Sequence, residues 1–122
     1  MKVFFDGGCR PAPMGMEVAV VMAGRSIISR DLGPGSAMDA EWLALIEAKR
    51  LAYQHDLVDP ILMGDAAAVI AQANGSVRCP SAYLHHFHAF RALPWSAERV
   101  RIRHVKRTQN LAGIALARLH GR

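Results

Sequence analysis

The chain has 122 residues, 52% apolar and 20% charged, which fits a single globular domain over residues 1–122 and excludes a disordered polypeptide. No stretch approaches the roughly 18 uninterrupted apolar residues of a membrane span, and residues 1–6 lack a signal peptide's apolar core, so a soluble cytoplasmic protein with no membrane partner is expected. The net charge of +5 is unevenly spread: residues 1–65 hold six bases and nine acids, residues 66–122 nine bases and the single acid Glu98. A basic half facing an acidic cluster suits a polyanion held beside carboxylate-bound cations; a merely solvated arginine surface is the plainer alternative. Cys9 and Cys79 are too few and too distant in sequence for a disulfide framework or a cysteine zinc site, and two reduced thiols are expected.

Residues 2–6, with Val3, Phe4 and Phe5, read as a β-strand running into a tight turn at Asp6-Gly7-Gly8. The Pro- and Gly-rich residues 9–15 read as a loop. Residues 17–23 and 25–31 form two strands of a hairpin turning at Ala23-Gly24. Gly33-Pro34-Gly35 interrupts the chain, and Ser36 is placed to cap a helix over 38–55, whose Met38, Trp42, Leu45, Ile46, Ala52 and Tyr53 recur at three- and four-residue intervals. Ile61-Leu62-Met63 is a short strand buried on both faces, followed by a helix over 65–73 that stops at Asn74-Gly75. A helix over 80–93 ends at Pro94, the alternation across 99–105 predicts a strand with a cationic face, and a last helix spans about 109–119. The order β, β, β, α, β, α, α, β, α predicts an α/β fold, a mixed sheet with helices packed on it.

Three acids occupy positions where α/β sheets build sites. Asp6 falls at the end of the first strand, Glu41 early in the long helix, and Asp65 just past the buried fourth strand. Each has an ordinary explanation, as a turn residue, a helix-dipole partner and a cap. Brought together without compensation they would cost several kcal/mol, an objection that a divalent cation removes.

With these residues in view the chain resembles ribonuclease H in its compact form, over nearly its whole length. The resemblance rests on Phe5-Asp6-Gly7-Gly8-Cys9-Arg10, on Ala40-Glu41-Trp42-Leu43-Ala44-Leu45, on Leu62-Met63-Gly64-Asp65, and on His104-Val105-Lys106-Arg107-Thr108-Gln109-Asn110 with Leu116-Ala117-Arg118 beyond. It implies a five-stranded sheet, three antiparallel strands followed by two parallel ones, and metal-dependent cleavage of the RNA strand of RNA/DNA hybrids. It further implies that Asp6, Glu41 and Asp65 are catalytic ligands to magnesium or manganese. Substrate contacts would come from Gly7, Gly8, Cys9 and Arg10 and from Lys106, Arg107 and Asn110.

The pattern breaks in two places. The family's fourth carboxylate lies four residues after the Asn that opens the last helix, and here that residue is Ile114, in the apolar run Leu111-Ala112-Gly113-Ile114-Ala115-Leu116-Ala117. Ile114 cannot ligate a hard cation, so one metal site should be weaker. Ala12, Ala37, Met38, Ala66 and Ala67 stand where the family places polar groups that touch the hybrid, which predicts impaired sensing of the 2′-hydroxyl. An inactive nucleic-acid-binding module on the same scaffold is therefore the alternative reading; the apolar last helix also leaves self-association open.

His85, His86 and His88 form a short cluster, of which His85 and His88 could share a helical face, with no acid or cysteine close in sequence to complete a metal site. Trp42, Trp95, Phe87 and Phe90 at helical spacing read as core before they read as base-stacking platforms. Arg99, Arg101 and Arg103 fit either a phosphate track or a snorkelling sheet edge.

Overall fold

A computed structural model describes residues 1–121. Its five-stranded sheet runs in the order β3-β2-β1-β4-β5, built from β1 (Lys2–Arg10), β2 (Gly15–Met22), β3 (Arg25–Ser29), β4 (Ile61–Gly64) and β5 (Arg101–His104). The first three strands pair antiparallel, and β4 and β5 join β1 in parallel, as the resemblance implied. The helices are α1 (Ala37–Gln54), α2 (Ala67–Ala73), α3 (Leu84–Ala92) and α4 (Leu111–Leu119), with single 3₁₀ turns at Ser81–Tyr83 and Arg107–Gln109.

Strand alternation sorts the apolar residues into two cores. Val3, Phe5, Val18, Val20 and Met22 face α1, where Trp42, Leu45, Ala48 and Ala52 meet them together with Val69, Phe90 and Ile102. The intervening Ala19 and Val21, with Phe4 and Ile28, face Ala112 and Leu116 of α4. β2 is therefore buried on both sides, and the apolar character of the last helix is accounted for in part by packing against the sheet. Trp42 and Phe90 belong to the core as read; the indole Nε1 of Trp42 donates to Gln72 at 3.2 Å. Lys49 is also buried, its ammonium 2.6 Å from the Phe90 carbonyl at the end of α3 and 4.6 Å from the Phe90 ring centre. Burial, with Arg91 nearby, lowers its pKa.

Ser36 caps α1 as its position predicts, in a reciprocal box with Asp39. Three expectations fail. Asp6-Gly7-Gly8 is no turn: the ladder with β2 continues from Val3 to Arg10, so Cys9 and Arg10 lie in the strand as well. The segment before α3 starts as a 3₁₀ turn, and α3 is shorter than the 80–93 predicted. Arg99 lies outside β5, so the cationic strand face narrows to exposed Arg101, which bonds Asp59 at 3.1 Å, and exposed Arg103.

Candidate metal centre

Asp6 lies in the middle of β1 rather than at its end, but the parallel pairing with β4 stops at Phe4. Two residues further on, where the parallel half has parted, Asp6 points to the side on which α4 packs. Asp65 follows directly on β4. Glu41 reaches the same place from α1 because the helix crosses β1 at Gly7 without clearance for a side chain: a Cβ there would collide with the Ala40 carbonyl. The glycine that sequence reading assigned to a turn is thus required by a close approach of helix and strand.

Carboxylate oxygens of Asp6, Glu41 and Asp65 lie within 4.8 Å of one another. The Gly7 N–H donates to Glu41 Oε1 at 2.6 Å. Asn110, fully buried, donates from Nδ2 to both Asp65 Oδ2 and the Phe5 carbonyl at 3.0 Å, while its Oδ1 accepts from the Ala112 N–H and caps α4. One amide side chain therefore locks strand, carboxylate and helix together. Asp65 does not cap α2, whose N-terminal Ala66 has no side-chain cap.

Burial and the neighbouring Asp65 charge push the Asp6 carboxyl from its ordinary 3.8 up to about 6, against a hydrogen bond with Glu41 and the attraction of Arg107. Burial and the Asp6 charge push Glu41 from 4.5 to about 8. The cluster thus lacks sufficient positive charge of its own. An octahedral magnesium with bonds near 2.1 Å spans oxygens up to about 4.2 Å apart, so small side-chain rotations suffice to fit the donors around one. An all-oxygen donor set suits magnesium or manganese.

The acids open into a cleft of about 490 Å³ that Gly7, Gly8, Cys9, Arg10 and Arg107 also line. The Nε of Arg10 is shielded from solvent and has no hydrogen-bond partner. Cys9 Sγ donates to the Gly35 carbonyl at 2.9 Å. Lys106 is exposed at the start of the 3₁₀ turn and, unlike Arg107, is not among the lining residues. Ile114 and Ala37 do line the cleft and face the same space as the acids, whereas Ala12, Met38, Ala66 and Ala67 are not among its lining residues. Gly113 presses α4 onto the cluster: a Cβ there would stand 3.3 Å from Asp6 Oδ2 and 3.8 Å from Asp65 Oδ2.

Sequence reasoning missed Glu17 and His120. Glu17 is 4% exposed, opposite Gly8 on β2; its Oε2 lies 2.5 Å from His120 Nε2, and Arg30 stands 3.8 Å from Oε1. Register was the missing signal, because an acid inside a valine-rich strand reads as the polar side of an alternation until both faces prove covered. The histidine cluster also resolves differently. His85 packs on His86, ring centres 3.9 Å apart, and not on His88, which lies against Phe87.

A mixed sheet in this order with an acidic cleft past its parallel edge defines a ribonuclease H-like fold. The reverse transcriptase-like family model matches residues 20–120, and the chain belongs to that family as a ribonuclease H family protein. No curated protein matches it. Among solved structures it is similar to ribonuclease H1 from the halophilic archaeon Halobacterium salinarum, with 25% identity, a TM-score of 0.76 and coverage of 94% of this chain and 92% of that one. It is similar in fold to the N-terminal ribonuclease H domain of a Mycobacterium tuberculosis protein, at 20% identity, a TM-score of 0.73 and coverage of 98% and 97%. The fold also matches a compost-derived ribonuclease H1 solved in complex with an RNA/DNA hybrid, at 18% identity and a TM-score of 0.65, covering 89% and 87%.

Proposed function

We propose that the protein is a divalent-metal-dependent endonuclease that hydrolyses the RNA strand of RNA/DNA hybrids, with Asp6, Glu41 and Asp65 as its metal ligands. The observation that carries this reading is the gathering of three carboxylates, within 4.8 Å, in an open cleft of a ribonuclease H fold. The hybrid bound by the compost-derived relative supports the choice of substrate.

Magnesium or manganese bound there supplies an activated water and a counter-charge for the departing 3′-oxygen. The chain's own residues prepare the site. The Gly7 N–H and the Asn110 amide hold Glu41 and Asp65 before substrate arrives, so that only small rotations are left for the carboxylates to make. The side-chain-free Gly8, with open space where a Cβ would stand, leaves the cleft floor open to a sugar-phosphate backbone, whereas at Gly7 that space is taken by α1. Arg10 and Arg107, both lining the cleft, offer guanidinium charge to phosphate oxygens, and Asn110 acts by positioning. Lys106, outside the lining, serves long-range attraction.

Ile114 supports a second reading, an inactive module that binds nucleic acid without cleaving it, because it puts an alkyl group where the family carries a carboxylate. Incubating labelled hybrid with purified protein and magnesium or manganese separates the two. Cleavage that Asp6→Asn and Asp65→Asn abolish is the expected result. Undiminished cleavage by those variants would reject the assignment, and salt-sensitive binding without turnover would select the inactive module.

A further inference from the structure

On the other side of α1 from Glu41, the structure places an acid beside the histidine cluster that the sequence left without one. We infer that Asp39, His85 and His86 form a second metal site, specific for zinc or a similar borderline transition-metal ion and separate from the carboxylate cleft. One ligand atom from each residue lies within 4.8 Å of the other two. Tetrahedral zinc, with bonds of about 2.0–2.2 Å, holds its donors about 3.4 Å apart.

Two of the three ligands are already held in place. Asp39 Oδ2 accepts from the backbone N–H and the hydroxyl of Ser36, both at 2.8 Å, which leaves Oδ1 directed at His86 Nε2, 2.9 Å away. His86 is buried, with its ring near-parallel to both Trp42 and Tyr83, at 16° in each case. Such fixing of a ligating carboxylate and an imidazole by their surroundings is what tight metal sites require. His85 is exposed, its ring centre 3.9 Å from that of His86, and its exposure leaves the solvent side for a water as fourth ligand. Two imidazole nitrogens and one carboxylate favour zinc, cobalt or nickel over magnesium, so the two centres should not compete for the same ion. A metal here would fasten α3 to the first turn of α1.

Titrating cobalt(II) into the full chain in excess magnesium tests this, with visible absorption as the readout and no dependence on nuclease activity. The expected result is one equivalent bound with the intense absorption of four-coordinate cobalt. His85→Ala and Asp39→Asn should weaken binding by at least about tenfold, while His88→Ala leaves it unchanged. Because His85 is exposed, metal-free His85→Ala should melt with the parent chain, and zinc should raise the melting temperature of the parent alone. Absence of the absorption band, or an effect of His88→Ala as large as that of His85→Ala, would overturn the proposal; the latter would mark adventitious binding to a histidine-rich helix.

Discussion

The two ends of the cleft treat buried carboxylates in opposite ways. At one end Glu17 is sunk into the sheet but has its partners with it, the ring of His120 within hydrogen-bond distance at the end of α4 and the guanidinium of Arg30 from the chain beyond β3. At the other, Asp6, Glu41 and Asp65 crowd together with backbone and amide donors and only the distant help of Arg107, and the carboxyls of Asp6 and Glu41 are driven up to about 6 and about 8. The fold sets a guanidinium beside one buried acid and leaves three others without an ion pair among the described residues. That difference is what the proposed metal site calls for, a group of acids whose compensating charge arrives from outside.

The largest expected effect breaks this contrast directly. Asp65→Asn should weaken manganese binding by more than about 100-fold, because it removes a charged ligand, whereas Glu17→Gln should change it less than about threefold. Calorimetric titration of both variants checks this. Comparable losses would mean that the cleft is a single acidic field without a defined centre.

Next in size is a dependence of stability on pH. For Asp6 and Glu41 the folded-state pKa lies above the unfolded value, so the folded chain retains protons that the unfolded chain releases. Their contribution is harmless below about pH 4, turns increasingly destabilising as pH rises above the unfolded values, and is complete once pH has passed about 6 for Asp6 and about 8 for Glu41. The metal-free protein should therefore lose a few kcal/mol between pH 5 and pH 8 from this pair, and saturating magnesium should restore most of it. Melting curves at both pH values, with and without magnesium, test the sign. Equal gains from magnesium at pH 5 and pH 8 would mean that it binds elsewhere.

Most of this arrangement was legible in the sequence because strand and helix periods fix which residues face inward. The apolar stripe of α1 placed Trp42 in the core, the order of elements gave a mixed sheet, and the family resemblance implied its three antiparallel and two parallel strands. The three acids could be expected at one end of the sheet from their places near element boundaries and from the family resemblance, although Asp6 proves to lie within β1 and not at its end. What was not legible depends on contacts between elements remote in sequence. Gly7 looked like a turn glycine, since nothing local announces a helix packed against it. Glu17 and His120, 103 positions apart, meet only once β2 and α4 are docked. The acid beside His86 comes from a helix 47 positions away.

Ile114 offers a smaller, more discriminating change. Ile114→Asp adds a fourth acid to the cleft, so it should destabilise the metal-free chain by about 1–3 kcal/mol and raise manganese affinity and hybrid cleavage by about tenfold. The opposite signs of the two effects are the test. A gain in metal-free stability would place the side chain away from the cluster, toward Arg107 or the solvent.

Arg107 should have the smallest effect and sharpens the contrast from the substrate side. Its charge reaches Asp6 across the cleft, yet it makes no ion pair with any acid among the described residues. A cation held near the acids but not bonded to them is available to a phosphate. Arg107→Ala should therefore weaken hybrid binding about threefold to tenfold at moderate salt and reduce the slope of log affinity against log salt by about one. Lys106→Ala, which removes a charge outside the cleft lining, should do less on both counts. Filter-binding measurements across a salt series give both quantities. If Lys106→Ala had the larger effect, the nucleic acid would run outside the cleft, and the acidic cluster would have to reach its phosphate from beneath rather than alongside.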